Sequence, residues 1–295
     1  MSGRLPLNLH PLTAVILCSF LLLAEARCSG DLYSTIHATT STHPLAVSDI
    51  SVSTPTIVIS KSWWQPIPGI SWQIQLSGTP DISFDVQVYD LDLFNTPQRV
   101  IGQLHALRRK VICYFNAGSW EDWRPDADQF PASVLGRSLV GWPGEKWLDI
   151  RQIDVLDSLM SARLDLAVQK GCDGVDPDNM DGYTNDTGFP LTAHDQLIYN
   201  TWIAVQAHQR GMAVGLKNDL DQVAELLPVY DWALNEQCFQ YNECQLLLPF
   251  VQSGKPVFGI EYHGDPSNFC PQANAMDFDV LKKRLGLDAW KDACR

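Results

Sequence analysis

The feature that most constrains this chain is a repeated alternation of short β-rich runs with amphipathic stretches. Seven β-rich runs end in polar or acidic residues, at residues 71–78, 85–92, 110–118, 174–181, 212–219, 232–238 and 256–264. Residues 285–290 are a candidate for an eighth. Helical periodicity occupies intervening segments, at residues 96–109, 155–170, 194–209 and 222–227. Because strands that alternate with helices pair side by side in the same direction, the pattern predicts a parallel sheet.

The number of these units selects among parallel-sheet architectures. About eight strand–helix units fit a closed barrel better than an open sheet, which usually has fewer strands. The Gly-x-Gly-x-x-Gly motif of dinucleotide-binding folds is absent from the sequence. We therefore predict an α/β fold, a (β/α)8 TIM barrel that forms a single catalytic domain over residues 61–295.

The N-terminal segment has the layout of a secretory signal peptide. Arg4 precedes an apolar run over residues 13–23, and Ala24-Glu25-Ala26 follows as a cleavage site. An uncleaved anchor is the alternative, but the run is too short to span a bilayer comfortably. We predict a signal peptide over residues 1–26, a Ser/Thr-rich flexible stalk over residues 27–60, and a secreted, extracellular product without membrane attachment after cleavage.

Seven cysteines remain after the predicted cleavage, so an oxidising compartment leaves at least one thiol unpaired. Cys238 and Cys244 are six residues apart and suit a local bridge, and Cys270 with Cys294 would tie down the C-terminal tail. Two further cysteines in apolar runs, at positions 113 and 172, fit either a bridge or buried thiols. Neither Cys-x-x-Cys nor His-x-x-x-His spacing occurs, so no metal site and no cofactor are predicted.

Net charge narrows the class of partner. With 21 Lys and Arg against 34 Asp and Glu, the chain carries −13, and removal of the signal segment leaves that value unchanged. Such a chain lacks the basic surplus that binds a phosphate backbone, which argues against nucleic acid. The chain also holds 10 Trp, a residue that stacks on sugars but more often fills cores. The sugar-stacking candidates are Trp63, Trp64, Trp120 and Trp123.

The chemistry is concentrated where the strands end. In a barrel the C-terminal ends of all strands meet at one mouth, where active sites lie. Carboxylates crowded there shift one another's pKa, so that one keeps its proton near neutral pH while another is ionised. Glycosidic hydrolysis needs such a pair. Asp178, at the end of the fourth strand, and Glu236, at the end of the sixth, are predicted to be that pair.

Neighbouring strand-end residues have simpler alternatives. Asp176 precedes Pro177 and suits a hydrogen-bond acceptor at a turn as well as a functional role. Asp181 and Asp219 are also candidates for helix N-caps. Lys217, beside a strand end, is either a surface lysine or a contact to substrate or to a carboxylate.

Five ordered segments resemble glycoside hydrolase family 114: CYFNAGSWEDWRPDA, GCDGVDPDNMDGY, GLKND, LNEQCFQYNEC and GIEY. The resemblance covers about residues 62–295. It implies a TIM-barrel endo-α-1,4-polygalactosaminidase that acts with retention, with Asp178 as nucleophile and Glu236 as acid/base. It further implies substrate contacts at Asp90, Asp92, Tyr114, Glu121, Asp181, Lys217 and Asn235. Family members often carry another residue where this chain has Asp176.

The expected activity is therefore hydrolysis of galactosamine-containing polysaccharide by a monomeric, metal-independent enzyme. The cationic polymer would complement the negative charge of the protein. A carbohydrate-binding barrel without catalysis is the first alternative, and it would bind polymer without releasing reducing ends. A metal-dependent phosphodiester hydrolase is the second, disfavoured by the scarcity of clustered His and testable with a chelator.

Overall fold

The structure is a computed structural model that describes residues 62–295. The predicted signal peptide (1–26) and stalk (27–60) lie outside the described residues and stay predictions. No helix within the described range is sufficiently long and apolar to cross a membrane.

One large sheet organises the described residues. Its strands, in their order across the sheet, are β1 (Trp72–Gln75), β2 (Val88–Asp92), β3 (Lys110–Asn116), β7 (Gly174–Asp178), β8 (Ala213–Lys217), β9 (Trp232–Glu236), β10 (Val257–Glu261), β11 (Asp279–Lys282) and β12 (Asp292–Ala293). Neighbouring strands from β1 to β11 run parallel, and β12 alone is antiparallel. The remaining strands form a separate antiparallel sheet, β4 (Ser119–Glu121), β6 (Glu145–Leu148) and β5 (Leu135–Ser138).

Helices occupy the connections between the strands. They are α1 (Gln98–Ala106), α2 (Ile153–Lys170), α3 (Ala193–Gln209), α4 (Val223–Leu226), α5 (Cys238–Tyr241), α6 (Leu248–Gln252) and α7 (Pro266–Ala275). The long helices have sequence-encoded ends. Thr192 and Asp195 form a reciprocal capping box at the start of α3, and Gly171 ends α2 in the left-handed conformation that glycine adopts without penalty.

The eight parallel strands form the predicted TIM barrel, closed where β11 meets β1. Trp72 Nε1 donates to the Asp279 backbone oxygen at 2.8 Å, and Lys283 Nζ donates to the Ile74 oxygen at 2.7 Å. The side chain of Trp72 in β1 and that of Lys283, directly after β11, thus supply hydrogen bonds across this seam. The four helices predicted from periodicity are present, with ends shifted by a few residues.

Two apolar clusters separate the inside of the barrel from its outside. The strands are buried on both faces, as parallel strands covered by helices must be. Trp232 and Phe258 lie in the interior cluster, while the larger cluster packs helices against the sheet. A Cβ on Gly215 would lie 2.1 Å from Trp232 Nε1, so glycine at this position is what admits the indole.

The predicted eighth strand is wrong in position. β11 comprises Asp279–Lys282, whereas residues 285–290 contain no strand and partly line the cavity described below. Because β11 begins and ends with charged residues, Asp279 and Lys282, its sequence does not show the apolar run that marks the other strands. Residues remote in sequence supply the partners of the Asp279 carboxylate: the Gly69 backbone nitrogen donates to it at 3.1 Å, and Arg295 forms an ion pair with it at 2.9 Å.

The sheet formed by β4, β5 and β6 was not predicted, because its strands are short and lie outside the strand–helix alternation. It is inserted between β3 and α2. A connection this long between a strand and its helix is unusual and generally functional.

Three disulfides join all six cysteines among the described residues. Cys238–Cys244 and Cys270–Cys294 are the pairs expected from spacing. The question left open for the other two is settled in favour of a bridge, Cys113–Cys172, which links β3 to the segment before β7.

Candidate active site

A cavity of about 260 Å³ opens at the C-terminal ends of the parallel strands. Its wall contains the ends of β3, β7, β8 and β9, the inserted sheet, and the loop after β11. The lining residues are Leu76, Ser77, Asp92, Asn95, Tyr114, Glu121, Trp123, Arg124, Leu139, Trp142, Glu145, Asp178, Asn179, Lys217, Glu236, Tyr262, Leu285, Gly286 and Leu287. Asp178 and Glu236 therefore face the same cavity.

Asp178 is held by two donors. Tyr114 OH donates to its Oδ2 at 2.8 Å, and Lys217 Nζ contacts its Oδ1 at 3.1 Å. Burial by itself would raise the pKa of Asp178, but the Lys217 ammonium and the Tyr114 hydroxyl outweigh it and hold that pKa below its ordinary value. Asp178 is thus an ionised carboxylate facing the cavity.

Glu236 is held by a different set of donors. Asn218 Nδ2 donates to Oε2 at 2.9 Å, and the Tyr262 hydroxyl donates to Oε1. Lys217 Nζ lies 3.7 Å from Oε2, farther than from Asp178. Burial raises the pKa of Glu236 and the charge of Asp178 adds to that rise, but Lys217 and Tyr262 shift it below the ordinary value. Both carboxylates are therefore ionised in the free site, whereas the sequence led us to expect that one of them would keep its proton.

Lys217 is the charge that joins the two carboxylates. Its ammonium is buried, which disfavours the charged form, yet the surrounding carboxylates Asp178, Glu236 and Asp176 raise its pKa well above the ordinary value. Because one Nζ contacts both, Asp178 Oδ1 and Glu236 Oε2 lie within about 7 Å of each other, a limit that includes the retaining separation of about 5 to 5.5 Å.

Backbone geometry at the strand ends aims these side chains. The residues directly after Asp178, Lys217 and Glu236 all have left-handed backbone: Asn179 (φ 58), Asn218 (φ 57) and Gln237 (φ 71). Non-glycine residues seldom adopt this conformation, and such strain concentrates at functional sites. The chain therefore turns sharply at the end of each of these three strands, at the edge of the cavity.

A close backbone approach fixes the neighbouring strand. The Gly118 backbone nitrogen donates to the backbone oxygen of Asp178 at 2.9 Å, and a Cβ on Gly118 would lie 1.7 Å from the backbone oxygen of Asn179. Only glycine allows the segment after β3 to pass this close to the end of β7.

A fully buried carboxyl pair, Asp90 and Asp176, lies below this level of the barrel. Neither carboxyl accepts a hydrogen bond from a donor among the described residues, so Asp176 is not the turn acceptor expected from its place before Pro177. Two carboxyls buried side by side cannot both ionise at low cost, which favours a proton on one of them. Burial, followed by the charge of Asp176, raises the pKa of Asp90 well above the ordinary value. Burial raises the pKa of Asp176 to about 7, against the opposing effect of Lys217. Asp90 is thus the protonated partner.

The inserted sheet builds the opposite wall of the cavity around Arg124. Its Nε and Nη2 donate to the two oxygens of Glu121 at 2.6 and 2.7 Å, and its Nη1 donates to Asp92 Oδ2 at 2.8 Å. Asp92 Oδ1 accepts from the backbone nitrogens of Phe94 and Asn95. These two carboxylates are fully engaged within the protein.

The predicted substrate contacts divide into two groups. Asp92, Tyr114, Glu121 and Lys217 line the cavity. Asp90, Asp181 and Asn235 are buried outside its lining. Neither Asp181 nor Asp219 caps a helix through its side chain, since each precedes a 3-10 turn without such a bond.

The tryptophan candidates divide similarly. Trp123 lines the cavity and is 52% exposed. Trp120 Nε1 instead donates to a backbone oxygen, and Trp63 stacks on His208 at 3.9 Å. Trp64 packs near Trp232, in the barrel interior.

Sequence reasoning missed several residues of the wall. Arg124, Trp142 and Glu145 belong to the inserted sheet and its loops, and the unusual length of that connection was the available signal. Asn218 and Tyr262 stand at strand ends, but only the folded chain shows that both bind Glu236.

A parallel barrel with two carboxylates facing one cavity at its C-terminal mouth fits the class of hydrolase that cleaves glycosidic bonds. The model of glycoside-hydrolase family GH114 matches residues 53–295, and the chain belongs to that family. The resemblance noted in the sequence is thereby confirmed.

Two solved structures are similar to the chain. Ega3 of Aspergillus fumigatus, solved in complex with galactosamine, is 44% identical, with a TM-score of 0.75 over 78% of this chain and 97% of its own. The glycoside hydrolase domain of PelA from Pseudomonas aeruginosa is 13% identical, with a TM-score of 0.62 over 77% and 98%, which supports the fold alone. Among curated protein sequences, none matches the chain.

Proposed function

We propose that this glycoside hydrolase is an endo-acting α-1,4-polygalactosaminidase that uses Asp178 as nucleophile and Glu236 as acid/base. The single observation that carries the proposal is the sharing of one buried lysine by two carboxylates at the mouth of the barrel. The galactosamine bound to the 44% identical Ega3 supports the choice of sugar.

The asymmetry around Lys217 supports the division of roles. Its ammonium lies 3.1 Å from Asp178 and 3.7 Å from Glu236, so Asp178 is the better stabilised anion. The charge of Asp178 also disfavours ionisation of Glu236. Glu236 is therefore the first of the pair to take up a proton.

The same geometry accounts for both steps of a retaining reaction. Asp178 attacks the anomeric carbon as the bond to the leaving oxygen breaks and Glu236 gives that oxygen its proton. Once Asp178 is esterified its charge is gone, so Lys217 acts on Glu236 alone and favours the carboxylate. Glu236 then takes a proton from the water that attacks the anomeric carbon, and the ester bond to Asp178 breaks.

The test uses Asp178→Asn and Glu236→Gln, which keep the size of each side chain. We expect each variant to lose at least about a thousandfold in kcat on a galactosamine polymer, because each group is needed in the transition state. Products are followed by mass spectrometry, and the melting temperature should change little. Full activity in either folded variant would contradict the assignment. Binding of polymer by wild type without new reducing ends would favour a carbohydrate-binding barrel.

We also propose that the enzyme is secreted. Three disulfides support an oxidising compartment, and the N-terminal segment has signal-peptide layout. Detection of the chain in culture medium with an N-terminus near residue 27 is the expected result.

A further inference from the structure

Glu145 differs from the other carboxylates of the cavity wall because no lysine or arginine of the described residues pairs with it. Arg124 pairs with Asp92 and Glu121, and Lys217 contacts Asp178 and Glu236. Within residues 62–295, Glu145 forms no ion pair with a lysine or arginine. A buried carboxylate without a counter-ion is costly, so a cationic ligand in the cavity would stabilise its ionised form.

The position of Glu145 is rigidly defined. The side chain is 7% exposed, and its Oε2 accepts from Asn116 Nδ2 at 3.2 Å and from Ser119 Oγ at 3.0 Å. Its Oε1 accepts no hydrogen bond from the described residues and is not among their buried unsatisfied atoms. Since Glu145 lines the cavity, this oxygen is available to a ligand there.

Glu145 also lies next to the nucleophile. Asn116, which donates to Glu145, is the register partner of Asp178 in the β3–β7 pair. Asn179, directly after Asp178, donates to both Asn116 and Ser119. In galactosamine the amine is attached to C2, the carbon next to the anomeric carbon that Asp178 would attack. A cavity residue beside the nucleophile is therefore placed to contact the C2 substituent.

We propose that the Glu145 carboxylate binds the C2 ammonium group of the sugar attacked by Asp178 and thereby selects a free amine over a hydroxyl or an acetamide. This inference rests on the proposed function for the identity of the sugar. Asp92 and Glu121 cannot take the role without giving up Arg124, and Asp178 and Glu236 are committed to the chemistry. Glu145 is thus a specificity-determining residue of the site.

The protonation of Glu145 agrees with this role. Burial, with smaller contributions from the charges of Glu121 and Asp178, raises its pKa to about 7, against the Ser119 hydrogen bond. An ammonium ligand stabilises the ionised form, so binding below pH 7 should release a proton. A neutral sugar gives no such release.

The test measures calorimetric binding of galactosamine, galactose and N-acetylgalactosamine to wild type, Glu145→Gln and the control Asp122→Asn. Asp122 is exposed and follows Glu121 in the same insert without lining the cavity. We expect wild type and the control to favour galactosamine over both neutral sugars by at least about tenfold, as a charged hydrogen bond would. Glu145→Gln should lose that preference. An undiminished preference in folded Glu145→Gln would overturn the proposal.

A second measurement needs no variant. Galactosamine binding to wild type at pH 6, repeated in buffers of different ionisation enthalpy, should release about one proton, and galactose none. Absence of release would overturn the role of Glu145 even if Glu145→Gln does not fold. Because both experiments measure binding, they stay separate from the proposed hydrolysis, which fails only if wild type releases no reducing ends from polymer.

Discussion

The two ends of the barrel interior contain the same number of strands but opposite chemistry. Near the strand starts the interior is apolar, with Trp72, Trp232 and Phe258 packed ring against ring. At the strand ends, Asp178, Glu236 and Lys217 are almost as deeply buried. The first region is stabilised by burial of apolar surface, and the second depends on compensation of charge.

The difference shows where this fold can accept functional groups. The apolar end supports the strands that position the mouth, and there the buried Trp232 Nε1 has no hydrogen-bond partner among the described residues. At the mouth, Lys217 compensates Asp178 and Glu236, and Arg124 compensates Asp92 and Glu121, whereas Glu145 is hydrogen-bonded without such a cation among the described residues. Stability and chemistry are thus separated along the barrel axis, and variants should distinguish the two regions.

The largest effect is expected from Lys217→Met. Removing the shared cation leaves Asp178 and Glu236 buried without compensation, which costs about 3 to 5 kcal/mol of the free energy of unfolding. We also expect kcat to fall by at least about a hundredfold, since the ionisation of Asp178 depends on Lys217. Denaturant unfolding and kinetics measure the two changes.

The control for this variant is Lys110→Met. Lys110 pairs with Asp173 at a half-exposed position, so the cost should stay below about 1 kcal/mol. Equal stability losses in the two variants would remove the distinction drawn for the mouth.

Trp232→Ala probes the apolar end. The fully buried indole fills the interior, so its truncation should cost about 3 to 5 kcal/mol in the free energy of unfolding. Activity per folded molecule should stay within about threefold, because Trp232 does not line the cavity. Loss of activity at unchanged stability would show that the two ends are not independent.

The Asp90–Asp176 pair tests the boundary between the regions. Asp90→Asn retains a donor to Asp176, and we expect a loss in the free energy of unfolding below about 1 kcal/mol. Asp90→Leu suits an apolar interior but leaves the Asp176 carboxylate without its donor, at a cost of about 2 to 3 kcal/mol. A more stable Leu variant would place this layer with the apolar end.

The last expected effect is a pH dependence of stability. Burial raises the pKa of Asp219 to about 8 and of Glu261 to about 7, whereas an unfolded carboxyl titrates near 4. Between pH 5 and 7 the folded chain therefore binds more protons than the unfolded chain, so stability falls as pH rises. The melting temperature should decrease over this window.

Asp219→Asn should reduce that decrease, because it removes one raised carboxyl while keeping an acceptor for Tyr183, which donates to Asp219 at 3.2 Å. A melting temperature that rises from pH 5 to pH 7 would contradict the sign. The lowered pKa values of Asp178 and Glu236 contribute only below this window.

Much of the fold was predictable because a buried parallel strand is recognisable from its local sequence. Runs such as β8 and β9 are apolar in sequence, are buried along their whole length and end in polar residues. β11 shows no such pattern, because it contains the charged Asp279. The partners of that carboxylate, Gly69 and Arg295, are remote in sequence. The inserted sheet escaped prediction because its short strands follow no regular alternation.

The sequence by itself determined the barrel, the family and the placement of Asp178 and Glu236 at strand ends, because each depends on local pattern or on residue identity. Only the tertiary structure decided that one lysine serves both carboxylates, that Asp90 and Asp176 are buried together, and that Glu145 has no lysine or arginine partner among residues 62–295. The physical reason is that charge compensation depends on distances between residues far apart in the chain, which local patterns do not encode.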